Sequence, residues 1–349
     1  MKPAPLRPFL PRPAIRRRPV KDTRRQYAIQ TPSAPMLQVF NDHAKHRQKE
    51  RAARDVESSR RVDYLRDEVA TRLCDRLLDI KRDFPSVLDL GANACNIART
   101  LTVPSADTPP LSTRISHLTS AESSSTLLCR DESLPFNSLL PSHTRTILPL
   151  SDTPLPFAPQ SFDAVLSSLS LHWINDLPSI LSQINGILKP DSPFIAAMLG
   201  GDSLYELRTS LQLADLDRRG GVSTHVSPLA DIRDIGGLLT KAGFKLLTVD
   251  VDDIIVDYPS VFALMMDLQA MGESNVALTA EKSGLRRDVM AAAEGIYREL
   301  HAEGGETVPA TFRIIYMIGW TEGAGQEKPL PRGSGQVNLK DVLGGGEIR

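Results

Sequence analysis

The sequence predicts an α/β fold, a mainly parallel, doubly wound sheet with helices on both faces, and three observations predict it. Short apolar runs bounded by turn residues alternate with longer segments of helical periodicity, as in βαβ units. The first run, VLDL at 87–90, ends in an acid and a glycine. The clearest run, SFDAVLSSLSL at 161–171, precedes a helical pattern at 176–191. Strands that alternate with helices indicate a parallel sheet covered on both sides.

The elements follow one another along the chain. Five segments have the length and composition of buried strands: 87–90, 115–122, 145–150, 161–171 and 194–199. Helices are predicted around them at 57–80, from 123, and at 176–191, 203–219 and 228–241. Two stretches of strand (245–251 and 254–258), two helices (261–271 and 286–300) and a last strand (311–320) complete the pattern.

Two of the predicted helices begin with capping signals. Asp176 is a suitable N-cap, with Pro178 in the first turn. Ser203 and Glu206 form an S-x-x-E pattern, which predicts a capping box.

The two ends of the chain differ from the rest and divide it into three regions. Residues 1–35 carry nine Lys and Arg against one acid, and they contain eight prolines. This composition is typical of a mitochondrial transit peptide, and RRQYA at 24–28 resembles a matrix-protease cleavage site. The alternative is a disordered basic tail that binds an acidic partner. Residues 36–322 form the folded domain, and the Gly-rich residues 323–349 are predicted to be a flexible tail.

Bulk properties exclude several classes. The net charge is −1, which argues against nucleic-acid binding. The three cysteines are scattered singly, which fits a reducing compartment and no zinc site. No stretch approaches the roughly 20 apolar residues of a membrane-spanning helix. The basic stretch at 45–54 (KHRQKERAAR) is predicted to be a solvated helix face or a docking surface.

A ligand crevice is predicted beyond the carboxyl ends of the strands, where the strand order switches. Asp89 and Gly91 end the first strand, and Asn93 and Cys95 stand where a nucleotide-binding turn would carry further glycines. A dinucleotide needs those glycines for its pyrophosphate, whereas S-adenosylmethionine has none and tolerates a more variable loop. An ordinary strand-to-helix turn is the alternative interpretation.

Further candidates follow the other strands. Glu122 could bind ribose hydroxyls, or could be an ordinary loop acid. Asp152 could contact an adenine, or could be a turn residue beside Pro154. His172 and Trp173, in LHWIND, should face the crevice, although a lone histidine is more often structural. No metal-ligand pattern emerges from the dispersed histidines.

Several motifs together resemble a known family. VLDLG, SFDAVLSSLSLHWINDLP, ILKPD and GGDSLYELR resemble class I S-adenosylmethionine-dependent methyltransferases of the type-11 group. Longer segments, among them VFNDHAKHRQKERAA, MDLQAMGESN and VPATFRIIYMIGW, resemble the mitochondrial complex I (NADH:ubiquinone oxidoreductase) assembly factor 5 family. The resemblance covers about residues 36–322, and bacterial malonyl-carrier-protein methyltransferases share the core more distantly. One departure lies in the first turn, which reads GANAC instead of the GCGxG usual in relatives.

The resemblance implies the Rossmann-like class I methyltransferase fold with helical additions, and S-adenosyl-L-methionine as the cofactor. It implies a protein in the mitochondrial matrix, peripheral to the inner membrane, that hydroxylates an arginine of a peripheral-arm subunit of complex I. The predicted cofactor-binding residues are Asp89, Gly91, Asn93, Glu122 and Asp152. The predicted catalytic residues on the acceptor side are His172, Trp173 and Tyr205.

Two functional hypotheses remain open at this point. The first is an enzyme that modifies a protein side chain by methylation or by hydroxylation. The second is a non-catalytic assembly chaperone with a degenerate cofactor pocket, which the altered glycine loop favours.

Overall fold

The computed structural model describes residues 38–104, 109–149, 154–280, 284–302 and 304–326, which form one sheet with helices packed around it. The strands are β1 (Ser86–Leu90), β2 (His117–Glu122), β3 (His143–Ile147), β4 (Ala164–Ser168), β5 (Pro193–Leu199), β6 (Lys245–Tyr258) and β7 (Val308–Trp320). The helices are α1 (Asp42–Arg54), α2 (Val56–Arg61), α3 (Tyr64–Leu78), α4 (Asn96–Leu101), α5 (Ser125–Leu128), α6 (Leu177–Ile187), α7 (Tyr205–Arg219), α8 (Ile232–Lys241), α9 (Val261–Met271) and α10 (Arg287–His301). Short 3-10 turns occur at Leu111–Arg114, Pro135–Leu139 and Leu171–Trp173.

The strand order confirms the predicted fold class. The sheet runs β3-β2-β1-β4-β5-β7-β6. The pairs within β1 to β5 are parallel, and β7 is antiparallel to both β5 and β6. The order reverses at β1, which lies between β2 and β4, so a crevice opens at the carboxyl ends of these three strands.

Apolar layers cover both faces of the sheet. Along β1, Val87 packs in the layer that contains α3, whereas Leu88 and Leu90 pack in the layer that contains α6. Successive side chains of a strand point to opposite faces, and a parallel sheet buries both. The uninterrupted apolar run of the sequence is therefore explained by burial on two sides.

Some predicted boundaries are wrong. The fourth strand ends earlier than expected, because Leu169 has a φ of 48° and turns the chain into the 3-10 turn at Leu171–Trp173. The two predicted stretches 245–251 and 254–258 form one strand, β6. The acids between them do not interrupt it, because Asp252 pairs with Arg72 and Asp253 pairs with Arg313.

One of the two capping predictions is confirmed and the other is wrong. The Asp176 carboxylate accepts a hydrogen bond from the backbone N–H of Ser179 at 3.0 Å and caps α6. Ser203 does not cap α7, since its hydroxyl donates to the carbonyl of Arg313 at 3.0 Å. The Glu206 carboxylate accepts from the hydroxyl of Thr311 at 2.5 Å. Both members of the predicted capping box therefore bind β7.

The predicted leader (1–35) and most of the predicted tail (323–349) lie outside the described residues, as does Asp152. Within the described parts of the chain, no helix is both long enough and apolar enough to span a membrane.

Candidate active site

The loop after β1 keeps the backbone of a glycine-rich turn, although two of its glycines are replaced. Gly91, Asn93 and Cys95 have φ angles of 73°, 51° and 61°. All three lie in the left-handed region, which asparagine tolerates better than most residues. The Cys95 side chain points into the core, where Sγ lies 3.7 Å from the carbonyl oxygen of Leu128. Both replacements therefore stand at positions whose backbone conformation favours glycine.

Asp89 is a buried carboxylate with no hydrogen-bond partner among the described residues. It is 0 % exposed, and neither carboxylate oxygen is satisfied. Burial, with a contribution from the charge of Glu122, raises the pKa of Asp89 to about 8. The Asn93 Oδ1 and the Ser168 hydroxyl are also buried and without a partner in the described part of the chain. A buried polar group without a partner is costly, so these atoms indicate a ligand that donates hydrogen bonds.

Glu122, at the end of β2, is held as a carboxylate by several donors. Its oxygens accept from Lys49 Nζ at 3.0 Å, from the backbone N–H of Ser123 at 2.7 Å and from that of Asn93 at 3.1 Å. Burial would raise the pKa of Glu122, but Lys49 and Ser123 outweigh that effect and lower it. The predicted ribose acceptor therefore lies in the crevice with a lysine bound to it.

Helix α1 covers the crevice, and the prediction that residues 45–54 are a solvated helix face is wrong for its inner side. Lys45 and Lys49 are only 6 % and 5 % exposed. The chain enters α1 at a fixed position, because Asn175 Oδ1 accepts from the backbone N–H groups of Val39 and Phe40 at 2.8 and 2.9 Å. The sequence could not reveal this burial, because the carboxylates that pair with the lysines lie far away in the chain.

The C-terminal half of α1 contacts the loop after β1, which is the predicted cofactor loop. Ala53 packs against Ala94 and Leu127 in a small buried apolar cluster. Glu50 accepts hydrogen bonds from the hydroxyls of Ser124 and Thr126 at 2.7 and 2.5 Å. The helix therefore contacts the loops after both β1 and β2.

A second carboxylate, Glu273, lies on the predicted acceptor side, beside His172 and Trp173. The indole Nε1–H of Trp173 donates to Glu273 Oε2 at 2.6 Å. Lys45 Nζ lies 3.0 Å from the same oxygen, and Arg66 Nη2 lies 3.2 Å from the other. Burial would raise the pKa of Glu273, but Lys45, with His172 and Arg66, holds it well below its usual value.

His172 is buried in this group without a hydrogen bond to either ring nitrogen among the described residues. Its Nε2 lies 3.6 Å from Glu273 Oε2, slightly beyond hydrogen-bond distance. Burial lowers the pKa of His172, although the nearby Glu273 carboxylate acts to raise it. A neutral imidazole at this position can accept a proton.

Tyr205 is placed differently. It lies on α7, is 46 % exposed, and its ring centroid is 5.8 Å from that of His301. It lines neither of the two cavities described below, so its assignment to the acceptor side remains a prediction. No group of three or more His, Cys, Asp or Glu side chains in the described ranges could hold a metal ion.

Two cavities meet at Trp173. The first, of about 310 Å³, is lined by Lys45, Lys49, Glu122 and Trp173 among others. The second, of about 340 Å³, is lined by Trp173 and Glu273, by apolar side chains that include Leu207 and Leu268, and by polar loop residues such as His225 and Asn275. Trp173 therefore lies between the predicted cofactor side of the crevice, at Glu122, and the predicted acceptor side, at Glu273.

Sequence reasoning missed Lys45, Lys49 and Glu273. The two lysines had a weak signal, since they lie four residues apart and therefore share a helix face. No sequence signal marked Glu273, because it follows the C-terminal glycine cap of α9 in an ordinary polar stretch.

Comparisons with known proteins agree with this architecture. A family model described as "Methyltransferase domain" matches residues 110–196. The arginine-hydroxylase NDUFAF5 of Danio rerio is 44 % identical over 313 residues, which cover 90 % of this chain and 92 % of that protein. Its Homo sapiens counterpart is 45 % identical over 307 residues, which cover 88 % of this chain and 84 % of that protein.

A more distant relative shares the same core. The malonyl-[acyl-carrier protein] O-methyltransferase of Laribacter hongkongensis is 32 % identical, over 78 % of this chain and 88 % of that protein. The same family is indicated by the sheet order, by the left-handed loop after β1 and by the sequence similarity, which extends over most of the chain. The chain therefore has the class I methyltransferase fold and belongs to the family of the mitochondrial arginine-hydroxylase NDUFAF5.

Proposed function

We propose that this chain is a mitochondrial enzyme that binds S-adenosylmethionine and hydroxylates an arginine side chain of another protein. Its relatives are named arginine-hydroxylase and mitochondrial. The observation that carries the proposal is the buried Asp89 carboxylate without a partner among the described residues, next to a loop with three left-handed residues. Without a ligand such a group keeps its proton, and a cationic or donor group of a ligand would stabilise its carboxylate form.

The residues present fit S-adenosylmethionine in kind. Asp89 and the Oδ1 of Asn93 are acceptors suited to its amino group, and Glu122 is an acceptor suited to its ribose hydroxyls. Gly91 lets the main chain approach the ligand closely. When bound, S-adenosylmethionine supplies a methyl sulfonium that a nucleophile can attack directly. Binding requires Lys49 to give up or share its contact with Glu122.

Hydroxylation inserts one oxygen atom into a C–H bond of the arginine side chain. With dioxygen as the oxidant, the second oxygen atom leaves as water, which consumes two electrons and two protons. The two-electron donor is a co-reactant that the described residues do not provide. The acceptor side contributes the carboxylate of Glu273, which lines the second cavity, and the neutral imidazole of His172, whose Nε2 lies 3.6 Å from that carboxylate.

The proposal extends to the substrate protein and to the location of the enzyme in the cell. The substrate is a peripheral-arm subunit of NADH:ubiquinone oxidoreductase, and the enzyme acts in the matrix, peripheral to the inner membrane. Residues 1–35 are the transit peptide. Deletion of these residues should abolish import into isolated mitochondria, and import of the truncated chain would refute the role of the leader.

Two measurements test the activity. Calorimetric titration with S-adenosylmethionine should show saturable binding. Mass spectrometry of the peripheral-arm subunits, from cells with and without this protein, should show an arginine that is heavier by one oxygen atom only when the protein is present. A gain of one methylene unit instead would establish methylation and refute hydroxylation.

A second candidate function is a non-catalytic assembly chaperone, and one observation favours it. The side-chain amide of Asn93 donates to the carbonyls of Gly91 and Ser168 at 3.2 and 3.0 Å, so it joins the ends of β1 and β4. Together with the Lys49–Glu122 contact, it pairs polar groups of the crevice with the chain's own residues. The absence of any heat or thermal shift with S-adenosylmethionine would leave only this function.

A further inference from the structure

The strongest unexplained feature is the environment of the Lys45 ammonium group. It donates to the carbonyl of Gly272 at 2.7 Å and to Glu273 Oε2 at 3.0 Å. It also lies 3.4 Å from the centroid of the Trp173 ring. A carbonyl, a carboxylate and an aromatic face are the three groups that recognise an organic cation. Arg66 and the indole N–H fix the carboxylate from other directions.

Lys45 is a poor permanent occupant of this site. Burial lowers the pKa of Lys45 to about 7, against the attraction of Glu273. A guanidinium is more weakly hydrated than an ammonium, stacks on aromatic rings and binds carboxylates with two parallel hydrogen bonds. The site therefore suits an arginine side chain better than the lysine that fills it.

The position of the site supports an external ligand. Glu273 and Trp173 also line the second cavity, whose other walls are mostly apolar. That cavity offers a route by which the aliphatic part of a side chain could lie against apolar walls while its charged end reaches Glu273. Lys45 itself lines the first cavity, on the cofactor side of the same indole.

We propose that Glu273 and Trp173 form the receptor for the guanidinium of the substrate arginine, and that Lys45 occupies this receptor until the substrate displaces it. The inference rests on the proposed function, because it assumes that an arginine side chain is the group acted upon. It adds the residues that bind that side chain and a competitor that belongs to the enzyme.

Binding of a blocked Gly-Arg-Gly tripeptide to the full-length chain tests the receptor. The chain contains two tryptophans, so a Trp320→Phe background leaves Trp173 as the only tryptophan reporter of fluorescence. Lys45→Met keeps an apolar side chain but removes the competing cation, and it should tighten peptide binding at least about tenfold. The same tripeptide with citrulline in place of arginine should not bind, because citrulline is neutral.

Three further variants control the result. Arg51→Met removes an exposed cation from the same helix and should leave the affinity unchanged. Lys45→Arg keeps a competing cation and should bind no more tightly than wild type. Glu273→Gln in the Lys45→Met background should abolish binding. If the Glu273 variant does not fold, Lys45→Met and the citrulline peptide still decide the question.

The outcomes separate this inference from the proposed function. Equal affinity of wild type and Lys45→Met, or equal binding of citrulline and arginine peptides, would overturn the receptor. Tight binding to Lys45→Met without any oxidised arginine would leave the receptor in place and refute the reaction. An oxidised arginine with an unchanged KM in Lys45→Met would support the reaction and refute the receptor.

Discussion

Replacement of Asp89 with asparagine tests whether this carboxyl group is truly without a protein partner. Asparagine has nearly the same shape, so Asp89→Asn removes the ionisation and little else. Asp89 is 0 % exposed, and burial is the main cause that raises its pKa to about 8. The free energy of unfolding should therefore depend on pH in wild type in a way that the variant lacks.

The direction of this pH dependence follows from the pH at which the folded and unfolded states each lose the Asp89 proton. An unfolded aspartate titrates near about 3.9, so from there upward the unfolded chain loses a proton that the folded chain keeps. Stability from this group is fully present below that pH and is lost as pH rises towards about 8. The slope is at most about 1.4 kcal/mol per pH unit, or about 2–3 kcal/mol between about pH 6 and about pH 8.

Urea unfolding of both proteins without ligand, at several pH values, measures the effect. The difference between variant and wild type cancels the other titrating groups and should grow by about 2–3 kcal/mol over that window in favour of the variant. Asp253→Asn is a matched control. A hydrogen bond from Arg313, which stays charged throughout this range, lowers the pKa of Asp253. Its difference from wild type should therefore be constant above about pH 6.

If the difference in unfolding free energy between Asp89→Asn and wild type does not change with pH, the reasoning is refuted. Such a result would mean that the carboxylate is already stabilised when no ligand is bound. The same group should lose its proton when a cationic amino group binds beside it. S-adenosylmethionine titrations in buffers of different ionisation enthalpy should show proton release with wild type and none with Asp89→Asn. Affinity should fall by an order of magnitude or more in the variant, since a charge-assisted hydrogen bond contributes about 1.5–3 kcal/mol.

Three more predictions concern the loop and its neighbours. Glu122→Gln leaves the buried Lys49 without its carboxylate and should lower the free energy of unfolding in urea by about 3–5 kcal/mol. The double variant Lys49→Met/Glu122→Gln should recover most of that stability, and an equal loss in both variants would contradict the pairing. Asn93→Gly keeps the left-handed backbone but loses both the amide that joins two strand ends and the Oδ1 acceptor proposed for the cofactor. Thermal unfolding should therefore show a less stable protein that binds S-adenosylmethionine more weakly, and unchanged affinity would contradict this. Burial raises the pKa of Cys95 to about 12, so iodoacetamide should modify the exposed Cys129 in the native protein and leave Cys95 intact, as peptide mass mapping can verify.

The sheet could be predicted because its signals are local. The apolar run at 87–90 is buried on both faces, and the periodicity at 176–191 matches α6, with Asp176 as its cap. Strand ends were less accurate, because they depend on single backbone angles such as that of Leu169. The capping box failed since Ser203 and Glu206 found partners in β7, more than a hundred positions away in the chain.

The grouping of Asp89, Gly91 and Glu122 was predictable, whereas their role in binding the cofactor stays a prediction. They lie at or directly after the carboxyl ends of β1 and β2, and such ends meet at one edge of a parallel sheet. The role of α1 was not predictable, because a basic helix usually keeps its charges in water. Lys45 and Lys49 are buried only because the fold brings Glu273 and Glu122 beneath the same face of that helix. No pattern along the chain encodes such a pairing.

The two lysine–carboxylate pairs under α1 also determine how the crevice should respond to salt. Below about pH 7, where Lys45 is protonated, each pair has no net charge, so the crevice attracts counterions only weakly. When a positively charged ligand displaces a lysine, one cation replaces another at the same carboxylate. The electrostatic balance of the interior is preserved through the exchange, and ionic strength should therefore have little influence on how tightly such ligands are held.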